Sequence, residues 1–272
     1  MVNRIEGLHL HLEARAHLVA AMLLPKALYA ASVAPPGIRE LSNLRAKSAR
    51  AVWGQGNRWR SVEAMFSLLT KSHITDPVQK FSHDAFICMR RVLRRRRDFI
   101  PMFERVLRYR QEHPRMKTGL GPVAALLSAA KFANLDFHDE DVCRLHFLNE
   151  NDTSILMETE WLSPENNSGE FAHIVREALR IEQWSMLEDR RPCFHGAQHG
   201  VDREASLELH KMLSGLERCK LRTILCGAVH TRSRSARILG HDGLCKCCNQ
   251  QALETPTYLK YAQLTKHHAT LT

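Results

Sequence analysis

Apolar residues recur at helical spacing along most of the chain. Between Leu8 and Tyr29, Leu12, Ala16, Val19 and Leu23 fall three or four residues apart, which predicts an amphipathic helix. Pro25 lies inside that pattern and has no amide hydrogen to donate, so a kink or break is expected there. The turn "SVAPPG" follows, Ser32 to Gly37. A second helix is predicted from Ile38 to Trp53, with Leu41, Leu44, Ala49 and Val52 inward and Arg39, Arg45, Lys47 and Arg50 outward. Gly54 and Gly56 should end it. Trp59 to Leu69 reads as a third helical stretch.

Asp76 and Pro77 suit the cap and first turn of a helix that runs into the 90s. Phe86, Met89 and Leu93 share one of its faces, while Arg90, Arg91, Arg94, Arg95 and Arg97 fill most of the remainder. Pro101 should separate this helix from the next, which carries Phe103, Val106 and Leu107 inward and Arg105, Arg108 and Arg110 outward. A Pro/Gly-marked break at Lys117 to Pro122 precedes a short Ala/Leu helix. Residues 134–168 are acidic and weakly patterned. Phe171 to Leu187 is again amphipathic, with Phe171, Ile174, Ala178, Ile181 and Trp184 on one stripe. Arg203 to Leu216 and Leu221 to Val229 read as helices, and strand-like alternation is rare. The expected fold class is mainly α: irregular helical bundles with a small Cys-containing C-terminal segment. The expected organisation is a helical region over 1–133, an acidic linker over 134–168, a second helical region over 169–240 and a tail over 241–272.

Charge narrows the function classes. The chain has 272 residues and a formal net charge of +10, which favours a polyanionic partner, nucleic acid above all, over an acidic small substrate. Four consecutive arginines, Arg94 to Arg97, are offset locally by Asp98 alone. Guanidinium matches phosphate oxygens, so Arg90, Arg91, Arg94, Arg95, Arg96 and Arg97 are the candidate nucleic-acid-binding residues, against the plainer reading of a solvated charged face. The segment "LVAAMLL" is far too short to span a bilayer, so no membrane partner is expected. No signal peptide is read, and an intracellular setting, nucleus or cytoplasm, is expected, with eight cysteines serving as core residues or metal ligands.

Three of those cysteines fall within four residues. Cys245 and Cys248 form a C-x-x-C whose tight turn suits one metal ion, and Cys247 inside it is a bystander. A tetrahedral zinc site needs two further ligands; His267 and His268 lie downstream and His241 upstream. Plain thiols on a loop are the competing reading. The acids of "FHDED", Asp139 and Asp141, raise two-metal nucleotidyl transfer as an enzymatic alternative, but no apolar strand leads into them. His9, His11 and His17 do not share a helix face and read as surface residues.

"LVAAMLLPKALYAASVAP" (Leu18 to Pro35), followed by "LSNLRAKSARAVWG" (Leu41 to Gly54), resembles the segment just after the palm of non-LTR, LINE-type retrotransposon reverse transcriptases. Leu24, Pro25, Lys26, Ala27, Leu28 and Tyr29 match the family's string there, and Ala30 replaces its usual glycine. "LRTILCGAVHTRSRSARILGHDGLCKCCNQQALETPTYL" resembles the same elements' zinc-knuckle-like C-terminal segment, and "REALRIEQWSMLEDRR" and "GVDREASLELHKML" also look familiar. Cys245, Cys248, Glu254 and Thr255 match the knuckle, whereas Tyr258 and Ala262 stand where the family has histidine and cysteine. The resemblance implies a thumb and connection region over 1–133 and a degenerate knuckle over 241–272. His267 is the candidate replacement ligand for zinc. It also implies that the catalytic aspartates lie in a palm upstream of these motifs, and no aromatic-x-Asp-Asp occurs here. The implied function is non-specific RNA or DNA binding by part of an RNA-directed DNA polymerase, in company with the rest of a retroelement polyprotein. The alternative is an independent basic helical adaptor with a zinc-stabilised end.

Overall fold

A computed structural model describes residues 1–54, 60–113, 119–137, 144–147, 159–160, 162, 167–191, 194, 197 and 203–227. The fold is mainly α. It divides into two compact units, one of residues 1–55 and 70–183, the other of 56–69 and 184–272.

The first unit opens with α1 (Val2–Glu6) and α2 (Leu12–Leu18). A π-helical turn over Val19–Leu23 then leads into α3 (Leu24–Ala27). The expected break at Pro25 is therefore a π turn placed just ahead of a residue that cannot donate. The buried positions record it. They step Leu12, Ala16, Val19 and then five residues on to Leu24, leaving Leu23 only half-buried. Helix α4 spans Ile38–Trp53, as its periodicity predicts, and stops at Gly54. Gly54 has φ 95°, a backbone conformation that favours glycine, and a Cβ there would sit 2.7 Å from the Arg15 guanidinium, which would have to shift.

The core of this unit forms around α7 (Pro77–Arg95), α8 (Ile100–Glu112) and α9 (Pro122–Ala133). Before them come α5 (Val62–Leu69) and the single turn α6 (Ser72–Thr75). Helix α7 buries Phe81, Ala85, Phe86, Met89 and Leu93, and packs against Ala125, Leu126, Ala129, Ala130 and Ala133 of α9. The alanines allow close approach, and aromatic edges fill what remains: Phe81 meets Phe132 at 6.3 Å and 84°, and Phe103 meets Phe137 at 6.0 Å and 83°.

The described residues of 134–168, a stretch expected to be an acidic linker, include three short strands. These are β1 (Leu135–Phe137), β2 (Arg144–Phe147) and β3 (Thr159–Glu160), an antiparallel sheet ordered β1-β2-β3, with Leu135 opposite Phe147 and Leu145 opposite Thr159. Leu135, Phe137 and Leu162 are buried in the core of the first unit. Strands of two to four residues are too short to declare a period of two. Arg45, expected outward, instead turns in from α4. Its Nε lies 2.9 Å and its Nη2 2.7 Å from Asp76 Oδ2. Val106, expected inward, is 37% exposed.

Helix α10 (Ser168–Arg190) gives its first part, through Gln183, to the first unit and the remainder to the second. Its buried stripe runs Phe171, Val175, Ala178 and Leu179, while Ile174 and Ile181 of the predicted stripe are half-buried. The second unit holds α5, the end of α10, α11 (Arg203–Met212) and α12 (Gly215–Leu225). Ala64, Leu68, Trp184, Leu187, Phe194 and Ala197 form its core. The Ser61 N–H donates to the Cys226 carbonyl at 2.8 Å. Helix α12 begins earlier than the apolar pattern suggests because Ser214 and Glu217 form a capping box.

Candidate nucleic-acid interface

Asp76 starts α7 by accepting from the Val78 N–H at 3.0 Å, with Pro77 pre-set for the first turn. The apolar face then fixes how the helix lies, and the arginines emerge at its C-terminal end. There they complement the carbonyl end of the helix dipole. A 3-10 turn, Arg97–Phe99, carries the chain into α8, with Pro101 in its first turn.

The six candidate arginines do not share one environment. Arg91, Arg95, Arg96 and Arg97 are exposed and Arg94 is half-buried. Arg96 grips Asp98 through Nε at 3.1 Å and Nη2 at 2.8 Å, and its guanidinium lies 4.6 Å over the Phe99 ring. That hydrogen-bonded pair raises the Arg96 pKa and lowers that of Asp98. Both groups face water, so the pair adds little stability. Arg91, Arg94, Arg95 and Arg97 make no ion pair among the described residues.

Arg90 departs from the expected surface. It is 4% exposed, with its guanidinium 4.9 Å from the Phe171 ring centre and Nη1 at 3.5 Å from Ser168 Oγ. Burial, and then the Arg94 charge, lower its pKa. A planar, weakly hydrated cation can be accommodated on an aromatic face, and Arg90 directly follows the buried Met89. The available surface set is therefore Arg91, Arg94, Arg95, Arg96 and Arg97.

Helix α8 extends that set. Arg105 and Arg108 are exposed opposite the buried Phe103 and Leu107. Arg108 meets Glu104 at 3.7 Å, and Arg105 makes no ion pair among the described residues. From Arg90 to His113 the sequence carries nine arginines against three acids, Asp98, Glu104 and Glu112. The spacing of Arg105 and Arg108 against Phe103 and Leu107 already signalled this extension.

The zinc candidates Cys245, Cys248 and His267 lie outside the described residues, as do Asp139 and Asp141. Among the described residues, no group of three or more His, Cys, Asp or Glu side chains is placed to hold a metal. His9, His11 and His17 are exposed. No helix among the described residues is long and apolar enough to cross a membrane. Comparisons with family models, curated proteins and solved structures returned no match.

Proposed function

We propose that the chain carries a thumb, connection and degenerate-knuckle portion of a non-LTR retrotransposon reverse transcriptase, and that it binds RNA or DNA non-specifically through phosphate contacts. The observation that carries the binding reading is the cluster at the α7–α8 junction. Arg91, Arg94, Arg95 and Arg97 present guanidinium groups with no ion-pair partner among the described residues, and Arg96 is held beside them. A solvated face of ordinary composition intersperses acids among its cations. Here Asp98 is the only acid between Arg90 and Phe103. The family assignment rests on the motifs around Leu24–Tyr29 and Cys245–Thr255.

Such binding is sequence-tolerant and driven by counterion release. Fluorescence anisotropy with a mixed-sequence duplex and with structured RNA, across a salt series, is the test. Exchanging Arg91, Arg94, Arg95 and Arg97 for glutamine together should reduce the slope of log affinity against log salt by about 3 to 4, at roughly 0.9 for each duplex phosphate no longer neutralised. An unchanged slope would remove this arginine cluster from the interface. Failure of the wild-type chain to bind either probe at low salt would end the nucleic-acid reading.

A further inference from the structure

Helix α8 has apolar residues beyond its buried face. Its inner face buries Phe103 and Leu107. A surface helix ordinarily turns polar residues to water on the side opposite its core. On α8 Arg105 and Arg108 occupy that side, and the flank beside them carries Met102, Val106 and Tyr109, which are 58%, 37% and 47% exposed, with His113 exposed just past the helix end. The steps of four, three and four residues place these four side chains on one continuous stripe. Tyr109 and His113 are stacked, with ring centres 4.3 Å apart and planes at 24°. His113 Nδ1 lies 3.0 Å from the Tyr109 carbonyl oxygen, which holds the pair in register. Beside the stripe, Pro101, Glu104, Arg105, Arg108, Tyr109 and Glu112 line a shallow depression.

We infer that this exposed flank of α8 receives unpaired nucleobases of a single-stranded RNA or DNA, stacked on the Tyr109–His113 pair with their phosphates on Arg105 and Arg108. This inference rests on the nucleic-acid reading above and specifies the form of nucleic acid. Charge selects the occupant. Eight arginines against three acids from Arg91 to His113 call for a polyanion, and the exposed stripe calls for flat apolar surface. An unpaired strand offers both in alternation along its length. A duplex does not, because its bases are already stacked and out of reach of a flat aromatic side chain on a helix. Glu104 and Glu112 in the depression repel phosphate, which leaves the backbone to the arginine side and base amino groups to the carboxylates.

The test compares Tyr109→Ala, Tyr109→Phe and wild-type full-length chains. Labelled short single strands of RNA and DNA and a labelled duplex are the probes, each titrated at one fixed salt concentration. The expected result is a loss of about 5- to 150-fold in single-strand affinity for Tyr109→Ala, the range that follows from losing one stacked base. Duplex affinity should stay at the wild-type value, and Tyr109→Phe should keep single-strand binding. Equal losses on single strand and duplex, or no loss on either, would overturn the inference. Duplex binding that depends on Arg91 to Arg97 while Tyr109→Ala changes nothing would sink the stacking face alone. Absence of binding to every probe would sink the nucleic-acid reading with it.

Discussion

Arg45 and Asp76 form a two-pronged ion pair between α4 and the first residue ahead of α7. Nε donates to Oδ1 and Oδ2 at 3.1 and 2.9 Å, and Nη2 donates to Oδ2 at 2.7 Å. Asp76 is fully buried and also accepts from Gln183 Nε2 of α10 at 3.2 Å, and Gln183 in turn bonds Gln79. One carboxylate thus caps α7 and ties α4 and α10 to it. With both of its oxygens engaged, the buried charge is compensated.

Removal of one partner leaves the other charge buried and uncompensated. Asp76→Ala should lower unfolding stability by about 3–5 kcal/mol, and Arg45→Met by a similar amount. The double variant should cost less than the sum of the two, because it removes both charges together. Urea denaturation followed by circular dichroism measures all three. Strictly additive losses would mean that the pair does not interact as described.

Arg90 and Arg91 are neighbours in sequence with opposite roles, so they separate binding from stability. Arg90→Gln should destabilise by about 1–2 kcal/mol because no cation then covers the Phe171 face, with little change in salt-dependent nucleic-acid affinity. Arg91→Gln should leave stability within about 0.5 kcal/mol of wild type, as surface substitutions do, and weaken binding. Paired melting and anisotropy measurements decide it. A binding loss from Arg90→Gln as large as that from Arg91→Gln would put Arg90 back on the surface.

Cys226 and Cys219 should differ sharply in reactivity. Cys219 is exposed, whereas Cys226 is fully buried, and burial pushes its thiol up to about 12 from 9.0 against the opposing charges of Arg60, Arg191 and Arg222. A native chain treated with iodoacetamide at neutral pH should carry the label at Cys219 and not at Cys226, as peptide mass spectrometry would show.

The same thiol links stability to alkaline pH. Its folded pKa lies above its unfolded one, so the unfolded chain loses this proton first as pH rises. The stabilisation is full below pH 9.0 and is lost as pH rises towards about 12. Cys226→Ala should remove part of the alkaline decline seen in wild-type denaturation midpoints. Parallel wild-type and variant curves over that window would contradict it.

Zinc content tests the tail. Tyr258 and Ala262 stand where the resemblance implies a histidine and a cysteine, and two thiolates fall short of a closed tetrahedral site. Elemental mass spectrometry of the purified chain should find zinc well below one per molecule. Near one zinc per chain, lost in Cys248→Ser, would mean instead that a ligand such as His267 completes the site.

Local chemistry determined much of the helical framework. Ile38 to Trp53, the start at Asp76 and Pro77, and the separation at Pro101 were legible because caps, prolines and the 3.6-residue period act over a single turn. The presence of an arginine-rich stretch was legible for the same reason. Which of those arginines reach solvent was decided by tertiary structure. Arg90 is covered by Phe171 and Arg45 is turned inward by Asp76, partners that lie far along the chain and leave no mark on the local pattern. Long-range packing likewise drew Leu135, Phe137 and Leu162 out of an acidic stretch into the core, and grouped residues 56–69 with 184–272. Periodicity shows that a side chain sits on an apolar or a polar face. Only the approach of a second element decides what that face meets, because burial energy depends on the area two surfaces remove from water together.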